Sequence, residues 1–220
     1  MRCLVTAGPT FEPLDSVRRL TNLSTGRLGS DLAEHLARAG AEVVLLLGEL
    51  ATAPPSPAVA RLERFSTTSD LQHRLLRYAG SEIDALFHAA AVSDFRPGAV
   101  WERDPAGTLR RRKERKLPST AGTLLVELVP TPKILCQLRD RWPRALLVGW
   151  KYEVDGDRTT AVRRALEQIR ENRSDLSVAN GPAYGAGFGV LDAGGACVHC
   201  SDRPTLCAEL LGRLQNHLRR

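Results

Sequence analysis

Short apolar runs of strand length alternate along the whole chain with segments whose apolar residues recur at helical spacing. The runs cover residues 2–6, 43–47, 61–65, 83–90, 124–129, 145–150 and 175–178. Helical spacing covers residues 29–39, 69–76, 132–139, 159–171 and 206–218. Continuous apolar strands separated by helices are typical of a parallel sheet with crossover helices on both faces. We therefore predict a doubly wound, mostly parallel α/β fold of the Rossmann-like kind.

The sequence predicts a single domain over residues 1–220. A chain of 220 residues with 43% hydrophobic content can bury a core about the size of one large α/β domain. No internal repeat or clear linker interrupts the alternation. The segment 97–122 differs in character, because it is polar, basic and weakly periodic. We expect this segment to form a flap, an arm or a dimerisation element.

Two features argue against a membrane or secreted protein. The longest apolar runs, residues 43–47 and 86–92, are far shorter than the roughly 20 residues that cross a bilayer. The start of the chain reaches a Gly-Pro loop after a few apolar residues and has no cleavage site of the signal-peptide kind. We expect a cytoplasmic protein with no membrane partner.

The five cysteines are too few and too scattered for a disulfide framework, and their number is odd. We expect reduced thiols that serve in packing. Cys197, His199 and Cys200 have a spacing found at metal sites, but a tetrahedral zinc site would lack ligands unless Cys207 took part. We predict no metal site here.

Two stretches of small and hydroxyl residues lie where a ligand is expected, at the carboxyl end of the first strand and the start of the first helix. They read Thr-Ala-Gly-Pro-Thr at 6–10 and Ser-Thr-Gly-Arg-Leu-Gly at 24–29. Their spacing fits neither GxGxxG nor the P-loop. They predict a phosphate cradle, with turn and cap chemistry as the alternative. The candidate nucleotide contacts are Gly8, Pro9, Thr10, Ser24, Thr25 and Gly26.

The charge distribution also points to anionic ligands. The net charge of +6 attracts anions of any kind. Residues 110–116 contain six basic side chains in seven. Taken alone, such a run favours a solvated surface or nucleic-acid binding.

Several longer motifs occur along the chain in a fixed order. Residues 6–18 read Thr-Ala-Gly-Pro-Thr-Phe-Glu-Pro-Leu-Asp-Ser-Val-Arg, and residues 22–29 read Asn-Leu-Ser-Thr-Gly-Arg-Leu-Gly. There follow Ala-Ala-Ala-Val-Ser-Asp-Phe at 89–95, Lys-Glu-Arg-Lys at 113–116, Val-Pro-Thr-Pro-Lys-Ile-Leu at 129–135, Val-Gly-Trp-Lys-Tyr-Glu at 148–153 and Val-Ala-Asn at 178–180. In this order, the motifs resemble those of phosphopantothenoylcysteine synthetases (phosphopantothenate-cysteine ligases) over most of the chain.

The resemblance implies roles for individual residues. Asn22 matches an asparagine that holds the carbonyl of the activated acyl group, a role that suits an amide donor. Arg18 matches a substrate-binding arginine, and Ala90 and Ala91 fall in a substrate-binding stretch. Asp94 matches a position that faces the nucleotide sugar. The alternatives are loop braces for the asparagine and the arginine, and a turn or N-cap carboxylate for the aspartate.

The resemblance also implies roles for the basic run at 110–116 and for the motif at 148–153. Lys113 and Lys116 match lysines of a mobile lid that reaches the nucleotide phosphates, where Arg115 replaces a third lysine. Trp150 and Lys151 match nucleotide-binding positions. The stretch that contains them departs from the bacterial Gly-Phe-Ala-Ala-Glu pattern and looks more like the Phe-Lys-Leu-Glu of eukaryotic forms. Bacterial members generally use CTP and eukaryotic ones ATP, and we favour CTP.

The implied reaction joins 4'-phosphopantothenate to cysteine through an acyl-nucleotide intermediate in coenzyme A biosynthesis. It implies Mg²⁺, CTP or ATP as co-substrate, no flavin, and a homodimeric, stand-alone ligase without a decarboxylase domain. One rival is an NAD(P)-dependent reductase, against which stand the missing glycine fingerprint and the missing Tyr-x-x-x-Lys. The other is a protein that binds nucleic acid through residues 110–116. We favour small-molecule substrates and no nucleic-acid partner.

Overall fold

The computed structural model describes residues 1–55, 57–119 and 122–219. Its strands are β1 (Arg2–Ala7), β2 (Phe11–Pro13), β3 (Arg19–Thr21), β4 (Glu42–Gly48), β5 (Arg61–Phe65), β6 (Ala85–His88), β7 (Phe95–Arg103), β8 (Leu109–Arg112), β9 (Thr123–Pro130), β10 (Leu146–Tyr152), β11 (Leu176–Asn180), β12 (Phe188–Asp192) and β13 (Cys197–Cys200). Its helices are α1 (Arg27–Arg38), α2 (Thr68–Leu76), α3 (Leu135–Arg141), α4 (Arg158–Asn172) and α5 (Arg203–Leu218). In these described ranges no helix combines the length and the apolar character that crossing a bilayer requires.

The main sheet has eight strands in the spatial order β13-β12-β11-β10-β6-β1-β4-β5. From β11 to β5 all neighbouring strands run parallel, whereas β12 and β13 extend the sheet in antiparallel fashion. The chain moves outward from β1 through β4 to β5 and then crosses to the other side of β1 at β6, as in Rossmann folds. The predicted doubly wound, mostly parallel fold is confirmed, and its switch point lies between β1 and β6.

Helices cover both faces of this sheet, because successive side chains of a strand point to opposite faces. On one face α1 and α5 pack through a buried cluster that includes Val5, Leu32 and Leu210. On the other face α2 and α3 pack through a second cluster that includes Leu71 and Leu138. A third, smaller cluster joins α4 to β11 and β12. The apolar stripes that predicted the helices are therefore the surfaces that the helices bury.

A separate antiparallel sheet of three strands, in the order β8-β7-β9, contains residues 97–103 and 109–112 of the segment predicted as a flap or arm. Residues 120 and 121 of that segment lie outside the described residues. The run predicted as a strand at 124–129 is β9 and belongs to this sheet. Its residues alternate between exposed and half-buried, unlike those of the almost continuously buried strand β4 of the main sheet. Such alternation is typical of antiparallel strands with one solvated face. The role of this sheet as a flap or dimerisation element stays a prediction.

Several element boundaries differ from the prediction. Helix α1 begins at Arg27, two residues before the predicted start. Helix α2 begins at Thr68, because Thr67 accepts a hydrogen bond from the backbone N–H of Asp70 at 3.1 Å and acts as the N-cap. Strand β6 ends at His88, so the last two residues of the predicted strand lie in the following loop. Strands β12 and β13 and the β2–β3 hairpin were not predicted.

Candidate active site

A cleft lined by both polar and apolar residues opens at the carboxyl ends of β6, β10 and β11, beside the switch point of the main sheet. Its volume is about 870 Å³. Loops 22–24, 89–94 and 131–135 line it together with one face of α4. Ligands of open parallel sheets bind at this edge, because loops and helix N-termini expose polar backbone groups there. The cleft is therefore the candidate active site.

The loop that follows β6 is fixed to the loop that follows β1. The backbone N–H of Ser93 donates to the buried hydroxyl of Thr10 at 2.8 Å, and this hydroxyl donates to Ser93 Oγ at 3.2 Å. Backbone hydrogen bonds join Ala91 to both Gly8 and Thr10 at 3.0 and 3.1 Å. The Thr131 hydroxyl donates to the Ser93 carbonyl at 2.5 Å. The predicted nucleotide contact Thr10 thus positions one wall of the cleft.

A buried histidine lies at the end of β6, where the cleft begins. His88 is 7% exposed, and its Nδ1 lies 2.9 Å from Thr6 Oγ1 on the neighbouring strand. The same hydroxyl accepts a hydrogen bond from the backbone N–H of Ala90 at 3.2 Å. Burial lowers the pKa of His88 from 6.5 to about 4, because the imidazolium would lose its hydration. The imidazole is therefore neutral near pH 7, and none of the motifs marked it.

An ion pair stands at the rim of the cleft. The Asp94 carboxylate contacts the ammonium of Lys133, and both side chains are about two-thirds exposed, at 64% and 68%. Both residues line the cleft. The exposure of the pair implies that a ligand can displace it at small cost, since exposed ion pairs contribute about 0–1 kcal/mol.

The end of β10 contributes Trp150 and Lys151 to the lining. Lys151 Nζ lies 3.3 Å from Glu153 Oε1, and this buried carboxylate also pairs with Arg164 of α4. Trp150 Nε1 is buried without a hydrogen-bond partner among the described residues, and Asn180 Oδ1 at the end of β11 is in the same state. Unpaired buried donors and acceptors are costly, so these two atoms are candidates for ligand contacts.

The structure gathers about half of the predicted site residues at the cleft. Those that line it are Asn22, Ser24, Ala90, Ala91, Asp94, Trp150 and Lys151. Those outside its lining are Gly8, Pro9, Thr10, Arg18, Thr25, Gly26, Lys113 and Lys116. Residues that line the cleft and were not predicted include His88, Lys133 and Asn180.

The two cradle glycines occupy positions where backbones approach closely. Gly8 and Gly26 have φ angles of 79° and 76°, which favour glycine. A Cβ on either residue would lie within 3.0 Å of the Ala51 Cβ. Ser24 Oγ accepts a weak hydrogen bond from the Gly26 N–H at 3.4 Å, and Leu28 in the first turn of α1 lines the cleft. Packing alone explains the glycines, and the phosphate cradle stays a prediction.

The predicted arginine and lysines lie on connected surface loops. The Arg18 guanidinium donates from NH1 to Asp15 Oδ2 at 2.6 Å and to the Leu117 carbonyl at 3.2 Å. Lys113 and Lys116 are exposed in the segment between β8 and Leu117. The contacts of Arg18 in the structure stabilise the two loops that they join. Its role in substrate binding stays a prediction.

The metal-type spacing in β13 does not produce a converging set of ligands. Cys197 and His199 are exposed, whereas Cys200 is buried on the other face of the strand. Over residues 1–55, 57–119 and 122–219, no three His, Cys, Asp or Glu side chains form a group that could hold a metal ion. Burial raises the pKa of the Cys3 and Cys207 thiols to about 12, so these cysteines stay protonated.

Comparison with known proteins relates the chain to one protein family. The family model described as "DNA/pantothenate metabolism flavoprotein C-terminal domain" matches residues 1–203. The coenzyme A biosynthesis bifunctional protein CoaBC of Thermococcus kodakarensis is 34% identical over 179 residues, which cover 81% of this chain and 41% of that protein. The chain spans less than half the length of this relative.

Solved structures share the fold over nearly the whole chain. The DNA/pantothenate metabolism flavoprotein from Streptococcus pneumoniae superposes with a TM-score of 0.84 at 27% identity and covers 99% of both chains. The C-terminal domain of a coenzyme A biosynthesis bifunctional protein CoaBC superposes with a TM-score of 0.77 at 25% identity, covering 99% of this chain and 95% of that one.

Proposed function

The chain belongs to the DNA/pantothenate metabolism flavoprotein C-terminal domain family, and on that premise we propose that it is a phosphopantothenate-cysteine ligase of coenzyme A biosynthesis. The name of the Thermococcus relative supports this pathway. The proposed substrates are 4'-phosphopantothenate, cysteine and a nucleoside triphosphate.

The observation that carries the proposal is the composition of the cleft. Residues from five motifs that lie far apart in the sequence line this one cavity. The motifs are those at 22–29, 89–95, 129–135, 148–153 and 178–180. Motifs of a shared reaction are expected to converge at the carboxyl edge of the sheet, and this convergence supports a ligase site there.

The first proposed step activates the carboxylate of phosphopantothenate. A carboxylate oxygen attacks the α-phosphorus of the nucleotide, the bond to the β-phosphate oxygen breaks, and pyrophosphate leaves with the negative charge. Lys113 and Lys116 supply positive charge to that leaving group when their loop closes. The protein mainly positions the two anions, which otherwise repel each other.

The second proposed step forms the amide. The cysteine amine attacks the acyl carbon and loses a proton, and the nucleoside monophosphate leaves with the former carboxylate oxygen. Asn22, which lines the cleft, donates its side-chain N–H to the carbonyl oxygen as charge develops there. We assign substrate binding to Arg18 and to the backbone at Ala90 and Ala91.

The nucleotide is proposed to lie between the α1 N-terminus and the end of β10. The positive end of the helix suits phosphate, Asp94 suits ribose hydroxyls, and Trp150 and Lys151 lie beside the base. We favour CTP over ATP, since the opening motifs at 6–29 follow the bacterial pattern. The remaining proposed contacts, from Gly8 to Thr10 and from Ser24 to Gly26, belong to the phosphate cradle.

Cofactor requirements follow from the chemistry of the proposed reaction. Mg²⁺ is proposed to arrive with the triphosphate, because Mg²⁺ binds through few carboxylates plus substrate phosphates. The described residues offer no cluster of ligands that would hold it alone. Both steps transfer groups without oxidation or reduction, so no flavin is required. A nucleotide-consuming reaction also agrees with the cytoplasmic location expected from the sequence.

A homodimer is proposed through the three-stranded sheet. Strands β8 and β9 form its two edges. Leu109, Leu125 and Leu128 on these strands are between 38% and 52% exposed, and Phe95 on β7 is 45% exposed. Unpaired edges and exposed large apolar side chains favour pairing with another chain.

The proposed function is tested by pyrophosphate release from the purified protein with Mg²⁺, phosphopantothenate and cysteine. CTP and ATP are compared, and each substrate is omitted in turn. We expect release that requires phosphopantothenate and is faster with CTP. If neither CTP nor ATP gives pyrophosphate release, the proposal is contradicted. NADPH binding would then favour a reductase, and strongly salt-dependent DNA binding would favour a nucleic-acid protein.

A further inference from the structure

One carboxylate joins two loops that are about a hundred residues apart in the sequence. Asp15 lies in the turn between β2 and β3, and its side chain is only 1% exposed. Its Oδ1 accepts hydrogen bonds from the backbone N–H groups of Val17 at 2.8 Å and Arg18 at 2.7 Å. Its Oδ2 accepts from Arg18 NH1 at 2.6 Å and from the backbone N–H of Leu117 at 3.1 Å.

The two oxygens therefore have separate tasks. Oδ1 closes the local turn, whereas Oδ2 fastens the distant residue Leu117. Two further bonds strengthen the same junction, since Ser16 N–H donates to the Arg115 carbonyl at 2.8 Å and Arg18 NH1 donates to the Leu117 carbonyl at 3.2 Å. The backbone hydrogen bond from Val17 contributes most to lowering the pKa of Asp15 to about 2, so the carboxylate is charged at neutral pH.

This junction sets the end of the basic segment 113–116. Leu117, directly after the segment, is 3% exposed, whereas all four residues of the segment are exposed. At the other end, Arg112 of β8 pairs with Glu102 and with Glu114. The segment is thus a short loop fixed at both ends.

The junction also connects the segment to the cleft. Arg18 precedes Asn22 by four residues, a distance of at most about 14 Å even in an extended chain. Since Asn22 lines the cleft, the point where the basic segment is fastened is held close to the candidate active site. Chain length therefore keeps the fastening point within about 14 Å of a residue that lines the cleft.

We propose that Asp15 is a positioning residue, which fastens the basic segment through Leu117 so that Lys113 and Lys116 meet the phosphates of the nucleotide. This inference rests on the proposed ligase function for its kinetic consequence, but the fastening itself does not depend on that function. Asp15 touches no reacting atom and acts through the segment that it holds.

Asp15→Asn separates the two tasks of the carboxylate. The amide oxygen can still accept from Val17 and Arg18 and keep the turn. The amide nitrogen, in the place of Oδ2, would point N–H groups at the N–H groups of Leu117 and Arg18, and these donors cannot pair with it. Glu114→Gln is the control for charge, because it removes one negative charge from the segment itself, keeps one side-chain oxygen that can accept from Arg112, and leaves the Asp15 contacts intact.

The fastening is measured by hydrogen exchange and mass spectrometry on peptides that cover residues 14–18 and 113–119. In Asp15→Asn we expect the amide hydrogen of Leu117 to exchange with solvent roughly tenfold faster or more than in the wild type, because a hydrogen bond to a charged acceptor is lost. Glu114→Gln is expected to leave this amide as in the wild type. Peptides from the main sheet should be unchanged and show that the variant is folded. Equal protection of Leu117 in Asp15→Asn and the wild type would overturn the fastening.

The positioning role is measured by steady-state pyrophosphate release. We expect Asp15→Asn to lower kcat/KM for the nucleotide by about tenfold or more, with a smaller change in KM for phosphopantothenate. Glu114→Gln is expected to lower it by less than about threefold. A change confined to KM for phosphopantothenate would overturn the role, because Asp15 would then act only through Arg18. A wild type without activity would refute the proposed function. An Asp15→Asn variant that keeps the wild-type kcat/KM for the nucleotide while its Leu117 amide exchanges freely would refute the positioning role alone.

Discussion

Replacement of the buried histidine, His88→Leu, is expected to make the stability of the fold less sensitive to acid. The unfolded chain takes up a proton at the ordinary pKa of 6.5, whereas the folded protein does so only at about 4. Between these values the unfolded state binds more protons, so stability falls as the pH falls. From pH 7 to pH 4.5 the difference in pKa corresponds to a loss of about 2 kcal/mol from this one group.

The assay is urea denaturation of the wild type and His88→Leu at both pH values. The other titrating groups act in both proteins and cancel in the comparison. The wild type should lose about 2 kcal/mol more of its free energy of unfolding than the variant does. Leucine keeps most of the buried volume, and Thr6 Oγ1 still accepts from the Ala90 N–H. An identical pH dependence of the two proteins would refute the reasoning, because His88 would then be titrating alike in the folded and unfolded states.

Three further predictions concern packing and the proposed reaction. Gly29→Ala should lower the free energy of unfolding by about 1–3 kcal/mol in denaturant titrations, because its Cβ would lie 2.5 Å from the Ala7 Cβ. Gly212→Ala, in open space on α5, should instead raise it by up to about 1 kcal/mol, and equal effects would contradict the packing argument. Asn22→Ala should still release pyrophosphate but stall before the amide, so full turnover measured by product mass would exclude its proposed role. Lys116→Met should lower kcat/KM for the nucleotide by about tenfold or more, and an unchanged value would remove this lysine from the phosphate site.

The inner parallel strands of the main sheet could be predicted because they are buried on both faces. Residues 43–47, for example, are all buried in β4, and a continuous apolar run of this length indicates such a strand. Apart from β9, the antiparallel strands gave no such pattern. β13 consists of Cys197, Val198, His199 and Cys200, of which only the last is buried. Short edge strands of this kind depend on pairing with a neighbour that the local sequence does not reveal.

The location of the candidate site could be predicted from the order of the motifs, but its internal contacts could not. Thr6 and His88 stand opposite each other in the register of β1 and β6. The Thr10 hydroxyl likewise contacts Ser93, which follows β6. Both contacts join residues that are more than eighty positions apart in the sequence, and both depend on the register in which β1 and β6 pair. Asp15 was missed for a similar reason, since its distant partner Leu117 lies between β8 and β9 of the separate sheet.

The central proposal, activation of phosphopantothenate as an acyl-nucleotide, is tested most directly by the fate of the carboxylate oxygens. The purified protein is incubated with phosphopantothenate labelled with ¹⁸O in its carboxylate, with cysteine and with CTP or ATP. The mass of the released nucleotide is then measured by mass spectrometry. We predict that each nucleoside monophosphate carries one ¹⁸O atom, because the oxygen that attacked the α-phosphorus leaves with it. Label in inorganic phosphate, or no transfer of label while amide forms, would contradict the proposed mechanism.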